Sequence, residues 1–228
     1  MRLSMRAWPA VLLLPLAAAQ AAGGLSQAEV AQGLKEALGR GVKAAVSRLG
    51  REGGYLKNLE VRIPMPGRLR KLDATLRRLK QDKLADEFVA AMNRAAEKAA
   101  PEAAAIFADS LSQMTLADAQ AILTGPDDAA TRYFRQTCEA RLHAKFLPIV
   151  AKATASAGVT KAYRRLLVAA GPASFLLGTE ASNLDGYVTV KALDGLFKMI
   201  AAEESRIRKN PVARNTGILK RVFGSLNP

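Results

Sequence analysis

The sequence is poor in the residues that most readily carry chemistry. It has one cysteine, Cys138, and one histidine, His143. A lone thiol excludes an intramolecular disulfide, and a single imidazole beside it excludes the Cys/His sets that hold zinc, so no metal and no cofactor is expected. A Cys138–His143 nucleophile pair fails on geometry: on one helix, at about 100° per residue, the two side chains diverge by about 140°. Aromatic residues make up only 5% of the chain, and its one tryptophan is Trp8. Stacking on single-stranded nucleic acid is therefore a poor fit. The glycines at 50, 53 and 54 lack the lysine and hydroxyl that complete a phosphate loop. No stretch alternates with period two in β-branched residues, which argues against a sheet.

What is present begins with an N-terminal leader. Arg2 and Arg6 precede an apolar run over residues 7–19, and the small-residue triplet Ala19-Gln20-Ala21 follows. That order predicts a signal peptide over residues 1–21 and export to the periplasm, with an uncleaved anchor as the rival reading. The run is too short to span a bilayer as a helix, no cysteine near residue 21 offers a lipid attachment point, and no later stretch has the length and apolarity of a span. Residues 22–228 then form a single domain. The chain carries 34 basic and 20 acidic residues, a formal +14; without Arg2 and Arg6 the balance is 32 against 20, or +12. Such an excess draws anionic partners, which outside the cytoplasm are lipid head groups, lipopolysaccharide or acidic proteins. Nucleic acid becomes a candidate if the chain is not exported.

Helical periodicity dominates the remainder. Ser26 and Glu29 have the spacing of a capping box, flanked by Leu25 and Val30 as a staple, and Val30, Leu34, Leu38, Val42, Val46 and Leu49 carry the helix to Gly50. Paired glycines and two prolines make residues 50–67 the longest non-helical segment. Leu69, Leu72, Leu76 and Leu79 line the next helix, and another runs over about 82–100 to Pro101. Thr115 and Asp118 open a capped helix ending at Gly125, and a long one begins at Asp127, bends near Pro148 and ends at Gly158. A short helix over 161–170, a loop, a helix bearing Leu193, Leu196, Phe197, Ile200 and Ile207, and a final helix up to Gly224 complete an all-α, irregular multi-helix bundle.

Read together, "GLKEAL", "VRIPMP", "MNRAAEKA", "DDAATRYFR", "KALDGLF" and "IRKNPVARNTGILKRVFG" resemble a bacterial family described as a domain of unknown function, number 4197. The resemblance implies an exported, helical, single-domain protein. It brings no activity, cofactor or catalytic residue to carry over.

Polar residues on otherwise apolar helix faces are the candidate site. In "EFVAAMNRAAEKAAPEAAAIF" the wheel sets Phe88, Met92, Ala95 and Ala99 inward, leaves Asn93 at the boundary, and places Arg94 and Glu97 together in solvent. Thr131 and Arg135 fall on the face made by Phe134, Cys138, Leu142 and Ile149, and Glu204 falls among Leu193, Phe197, Ile200 and Ile207. A buried charge requires a partner, so Arg135 and Glu204 are expected to meet across a helix interface. Asn93, Thr131, Arg135, Glu204 and Arg208 form the ligand-binding set that follows, and an enzyme of unstated reaction is the alternative built on it. Arg70, Lys71, Arg77 and Arg78 oppose the leucines of their helix as a basic surface patch. A second cluster gathers Arg206, Arg208, Lys209, Arg214, Lys220 and Arg221. These features favour a binding or scaffolding protein with a basic exterior.

Overall fold

The computed structural model describes residues 26–78, 80, 82–156, 161, 163–165, 168 and 184–209. The expected leader, the expected final helix with Arg214, Lys220 and Arg221, the side chains of Lys71 and Leu72, and Leu79 lie outside the described residues. Within them the chain is helical, with no strand. The helices are α1 (Gln27–Gly50), α2 (Arg70–Arg78), α3 (Asp82–Ala99), α4 (Ala103–Gln113), α5 (Leu116–Thr124), α6 (Ala129–Ser156) and α7 (Leu184–Lys209), with single 3-10 turns at Gly67–Leu69 and Ala100–Glu102.

The expected start signals operate. At α1 the Glu29 N–H donates to Ser26 Oγ at 3.2 Å while the Ser26 N–H donates to Glu29 Oε2 at 2.8 Å. Thr115 and Asp118 make the same reciprocal pair at α5. Each box satisfies N–H groups that a helix leaves without partners in its first turn. Pro101 falls in the turn between α3 and α4, and α6 continues as helix through Pro148. The last described helix starts at Leu184, ahead of the periodic pattern that opens at Leu193, because Leu184, Val188 and Ala192 already carry its buried face.

Long helix α6 packs against α7, α3 and α4, and α1 closes over α7, α4 and α5. Their shared interior holds Phe107, whose ring stands edge-on to Phe134 at 5.1 Å and to Phe197 at 6.1 Å. Leu34, Leu49, Leu142, Phe146 and Val188 belong to the same continuous buried core. Helix α3 is unlike the others. Ala85, Phe88, Ala91, Met92, Ala95, Ala96 and Ala99 are all buried, so it is covered on nearly every side. Alanine permits that, since the small side chain lets neighbours approach from any direction without a cavity.

Part of the cover is the non-helical segment between α1 and α2. Its Tyr55, Val61, Ile63 and Met65 point inward, and the Tyr55 ring lies against α7 at Gly195. A Cβ at Gly195 would stand 2.7 Å from Tyr55 Cε1 and 3.2 Å from Val61 Cβ. Gly195→Ala is therefore expected to destabilise by about 1–3 kcal/mol through overpacking. At Gly39 an added Cβ meets only Leu111 Cδ1, at 3.6 Å. Gly39→Ala should instead stabilise by about 0.5–1 kcal/mol through helix propensity. Urea unfolding midpoints check both, and equal shifts would refute the close approach.

Candidate functional site

The polar residues of α3 hold the irregular segment to the bundle. Asn93 is wholly buried; its Oδ1 accepts from the Ile63 N–H at 2.9 Å, and its Nδ2 donates to the carbonyls of Ile63 at 2.9 Å and Val89 at 2.8 Å. Those three bonds use most of what a carboxamide can make. Glu97, one turn on, is 5% exposed, and its Oε1 accepts from the N–H groups of Tyr55 and Leu56, each at 3.1 Å. The expected solvent pair of Glu97 with Arg94 does not form. Arg94 is exposed, whereas Glu97 is turned into the protein beneath the segment. A wheel drawn for a helix with one buried side misplaces Glu97, because a second covering layer arrives from elsewhere in the chain.

Tyr55 joins that layer to α7. Its hydroxyl donates to the Ala192 carbonyl at 2.7 Å. Burial, and secondarily the nearby Glu97 carboxylate, push its ionisation far above the ordinary tyrosine range. Tyr187 adds another tie, donating to the Pro64 carbonyl at 3.0 Å.

Glu204 has a different partner from the one expected. Its carboxylate accepts from the N–H groups of Ala130 and Thr131, both at 2.9 Å, and from Thr131 Oγ1 at 2.8 Å. Arg208, four residues on, completes the set at 3.0 Å and also donates to the Ile122 carbonyl at 2.8 Å. These are first-turn donors of α6, so Glu204 caps that helix from α7 and meets the positive end of its dipole. Arg135 does not reach Glu204. Its guanidinium lies 4.4 Å above the Phe197 ring and pairs with Glu139 at 2.9 Å and Asp194 at 3.9 Å. The long stem lets Arg135 cover apolar surface while its charged head stays at the solvent boundary. Thr131, Glu204 and Arg208 are thus brought together, while Asn93 and Arg135 each belong to other contacts.

The basic patch on α2 is partly neutralised. Arg77 meets Asp73 and Asp86, each at 3.0 Å, and Asp82 at 3.6 Å. The Asp86 hydrogen bond, followed by the Asp73 charge, raises its already high pKa. Arg70 and Arg78 are exposed. In the second cluster Arg206 pairs with buried Glu203 at 2.8 Å, and Lys209 with Asp127 at 2.8 Å. Cys138 is buried, and among the described residues no group of three or more His, Cys, Asp or Glu is placed to hold a metal. Sequence reasoning missed a cleft of about 700 Å³ between α6 and α7, lined by His143, Leu147, Ala151, Asp185, Gly186, Tyr187 and Val190. None of the anticipated ligand-binding residues lines it.

These contacts define an all-α protein whose buried polar groups join its helices to one another and to an irregular covering segment. The family model described as a protein of unknown function, DUF4197, matches residues 24–224, and the chain belongs to that family. No curated protein and no solved structure matches the chain.

Two outcomes follow from these bonds. Glu204→Gln keeps one accepting oxygen but loses the charge facing the α6 dipole and Arg208, which should cost about 1–3 kcal/mol. Glu204→Ala should cost more, about 3–5 kcal/mol. A shift in urea midpoint with unchanged slope reads this, and a neutral Glu204→Ala would contradict the cap.

Tyr55 gives the pH dependence. A raised folded pKa means that the neutral phenol is favoured by folding. Its contribution is complete below the unfolded value, about 10, and is lost as pH rises through the folded value. Stability should fall above about pH 10, and Tyr55→Phe, weaker by about 1 kcal/mol at neutral pH, should lose less over that range. Parallel stability–pH curves for the two proteins would exclude this origin.

Proposed function

We propose that this is an exported, periplasmic helical binding or scaffolding protein whose basic exterior meets anionic envelope components or an acidic partner. The leader motif over residues 1–21 motivates the export. One observation carries the binding reading: no lysine or arginine whose exposure is described is buried, whereas Glu97, Glu203 and Glu204 are. Arg48, Arg206 and Arg208 answer two of those carboxylates from the rim, but Glu97 takes its bonds from backbone N–H groups. Sequestering that charge leaves the outer surface more positive than composition alone implies, and an outward positive field attracts polyanions.

The buried carboxylates and the Asn93 carboxamide support a scaffold in a second way. Asn93 and Glu97 spend their bonds chiefly on the covering segment, Glu204 on a helix end and Arg208, and Glu203 on Arg48 and Arg206, rather than leaving them for a ligand. The alternative, an enzyme built on Arg135 and Glu204, loses its motivating pair, since those side chains do not meet.

Protein recovered from the periplasmic fraction is expected to begin at Ala22 and to partition onto phosphatidylglycerol vesicles but not onto phosphatidylcholine vesicles. Raising salt from about 0.05 M to about 0.3 M should weaken that binding at least roughly tenfold, because screening shortens the reach of every surface charge. Retention in the cytoplasm would remove the export reading. Indifference to lipid charge, to lipopolysaccharide and to acidic protein alike would remove the binding reading.

A further inference from the structure

We infer that residues 57–62, with Leu59 at the tip, are where the protein touches a bilayer of anionic lipid. This rests on the basic-exterior reading above and narrows it to one surface and one partner.

The segment is irregular, yet it is fixed from several sides. Glu97 holds Tyr55 and Leu56 and Asn93 holds Ile63, while the Lys198 ammonium donates to the Glu60 carbonyl at 3.0 Å. Within the turn, the Asn58 carbonyl accepts from the N–H groups of Val61 at 3.1 Å and Arg62 at 2.8 Å, and Asn58 Oδ1 accepts from the Glu60 N–H at 3.1 Å. Buried bonds at both ends and further bonds within the turn leave little freedom in where each of its side chains points. Val61 and Ile63 go inward. Leu59, in the same turn, is 86% exposed. A leucine held out in water by an already ordered turn gains by entering an apolar phase, and little further ordering opposes that gain.

The charges around it select the phase. Lys57, Arg62 and Lys198 are exposed near the tip, and Arg62 and Lys198 wall a hollow of about 180 Å³ together with Lys191, Glu60 and Asp194. Lys191 is answered by Asp194 at 3.1 Å, which leaves Arg62 and Lys198 against the single carboxylate of Glu60 along the hollow. That excess matches an anionic headgroup layer, where each cation near the surface strengthens partition by about fivefold. A protein partner normally meets a contiguous apolar patch of a few hundred Å². Here the apolar exposure is one side chain ringed by polar ones, which suits a bilayer because lipid receives a protruding side chain without a shaped pocket.

The test uses exported protein carrying Trp8→Phe and Leu59→Trp, so that either processing state has one indole, at position 59. On phosphatidylglycerol vesicles its emission should move to the blue and be quenched by lipids brominated along the acyl chain; on phosphatidylcholine neither change is expected. In the otherwise natural chain, Leu59→Glu should weaken partition onto phosphatidylglycerol by about tenfold or more. Leu116→Glu, at another exposed leucine, should leave it unchanged. Partition that persists in Leu59→Glu with unshifted emission at position 59 would overturn the tip contact and leave the basic-exterior reading standing. Soluble polyglutamate that binds as tightly as vesicles and competes with them would assign the surface to an acidic protein instead. Failure of the natural chain to partition at all would defeat the bilayer contact, and binding to lipopolysaccharide or acidic protein would then decide the broader reading separately.

Discussion

A carboxylate or carboxamide taken out of water has to find groups that replace the water it leaves, and in this protein the replacements come mainly from backbone far away in sequence. Asn93 and Glu97 take theirs from Ile63, Tyr55 and Leu56, and Glu204 takes its own from Ala130 and Thr131. Unpaired, each would cost more than an ordinary hydrogen bond returns. The alternatives for these groups are therefore to be bonded where they are or to open the structure. The covering segment and the first turn of α6 are placed by that requirement as well as by apolar area.

Much of the architecture was legible because its signals are local. Ser26 with Glu29 and Thr115 with Asp118 announce helix starts within four residues, and the spaced leucines of α1 and the spaced apolar residues of α7 mark buried faces without reference to any other element. The polar residues were harder to place, since their partners are not local. Glu97 looked solvated because a helical wheel knows one inside and one outside; the run of alanines on every face of α3 was the available sign that it might be covered twice. Glu204 was recognisable as a charge in need of a partner. The choice of Arg135 assumed that a carboxylate seeks a cation, although the free N–H groups at a helix start answer it as well, and "DDAATR" marks such a start. Arg135 has a long enough stem to leave an apolar face at its edge.

The outward charges show how little a basic cluster in sequence says by itself. Arg77 looks like one cation among four on α2, yet three aspartates surround it. Exposed pairs of that kind contribute little to stability, but they erase a local field as effectively as deleting the charge. What faces outward is then decided residue by residue, and membership of the DUF4197 family, whose match spans all the described residues, provides the frame in which such surfaces can be compared.

The cap on α6 lies 73 or 74 residues downstream of the N–H groups it serves. A ribosome delivers those groups long before it delivers Glu204, and any passage of the chain through a pore in the same direction repeats that delay. Until then the N–H groups of Ala130 and Thr131 lack the carboxylate that closes them, so the helix frays more readily at its beginning than in its middle. Docking of α7 ends the fraying and buries Phe197 against Phe107 in the same movement. Closing the first turn of α6 and completing the aromatic core are thus one event, the docking of α7.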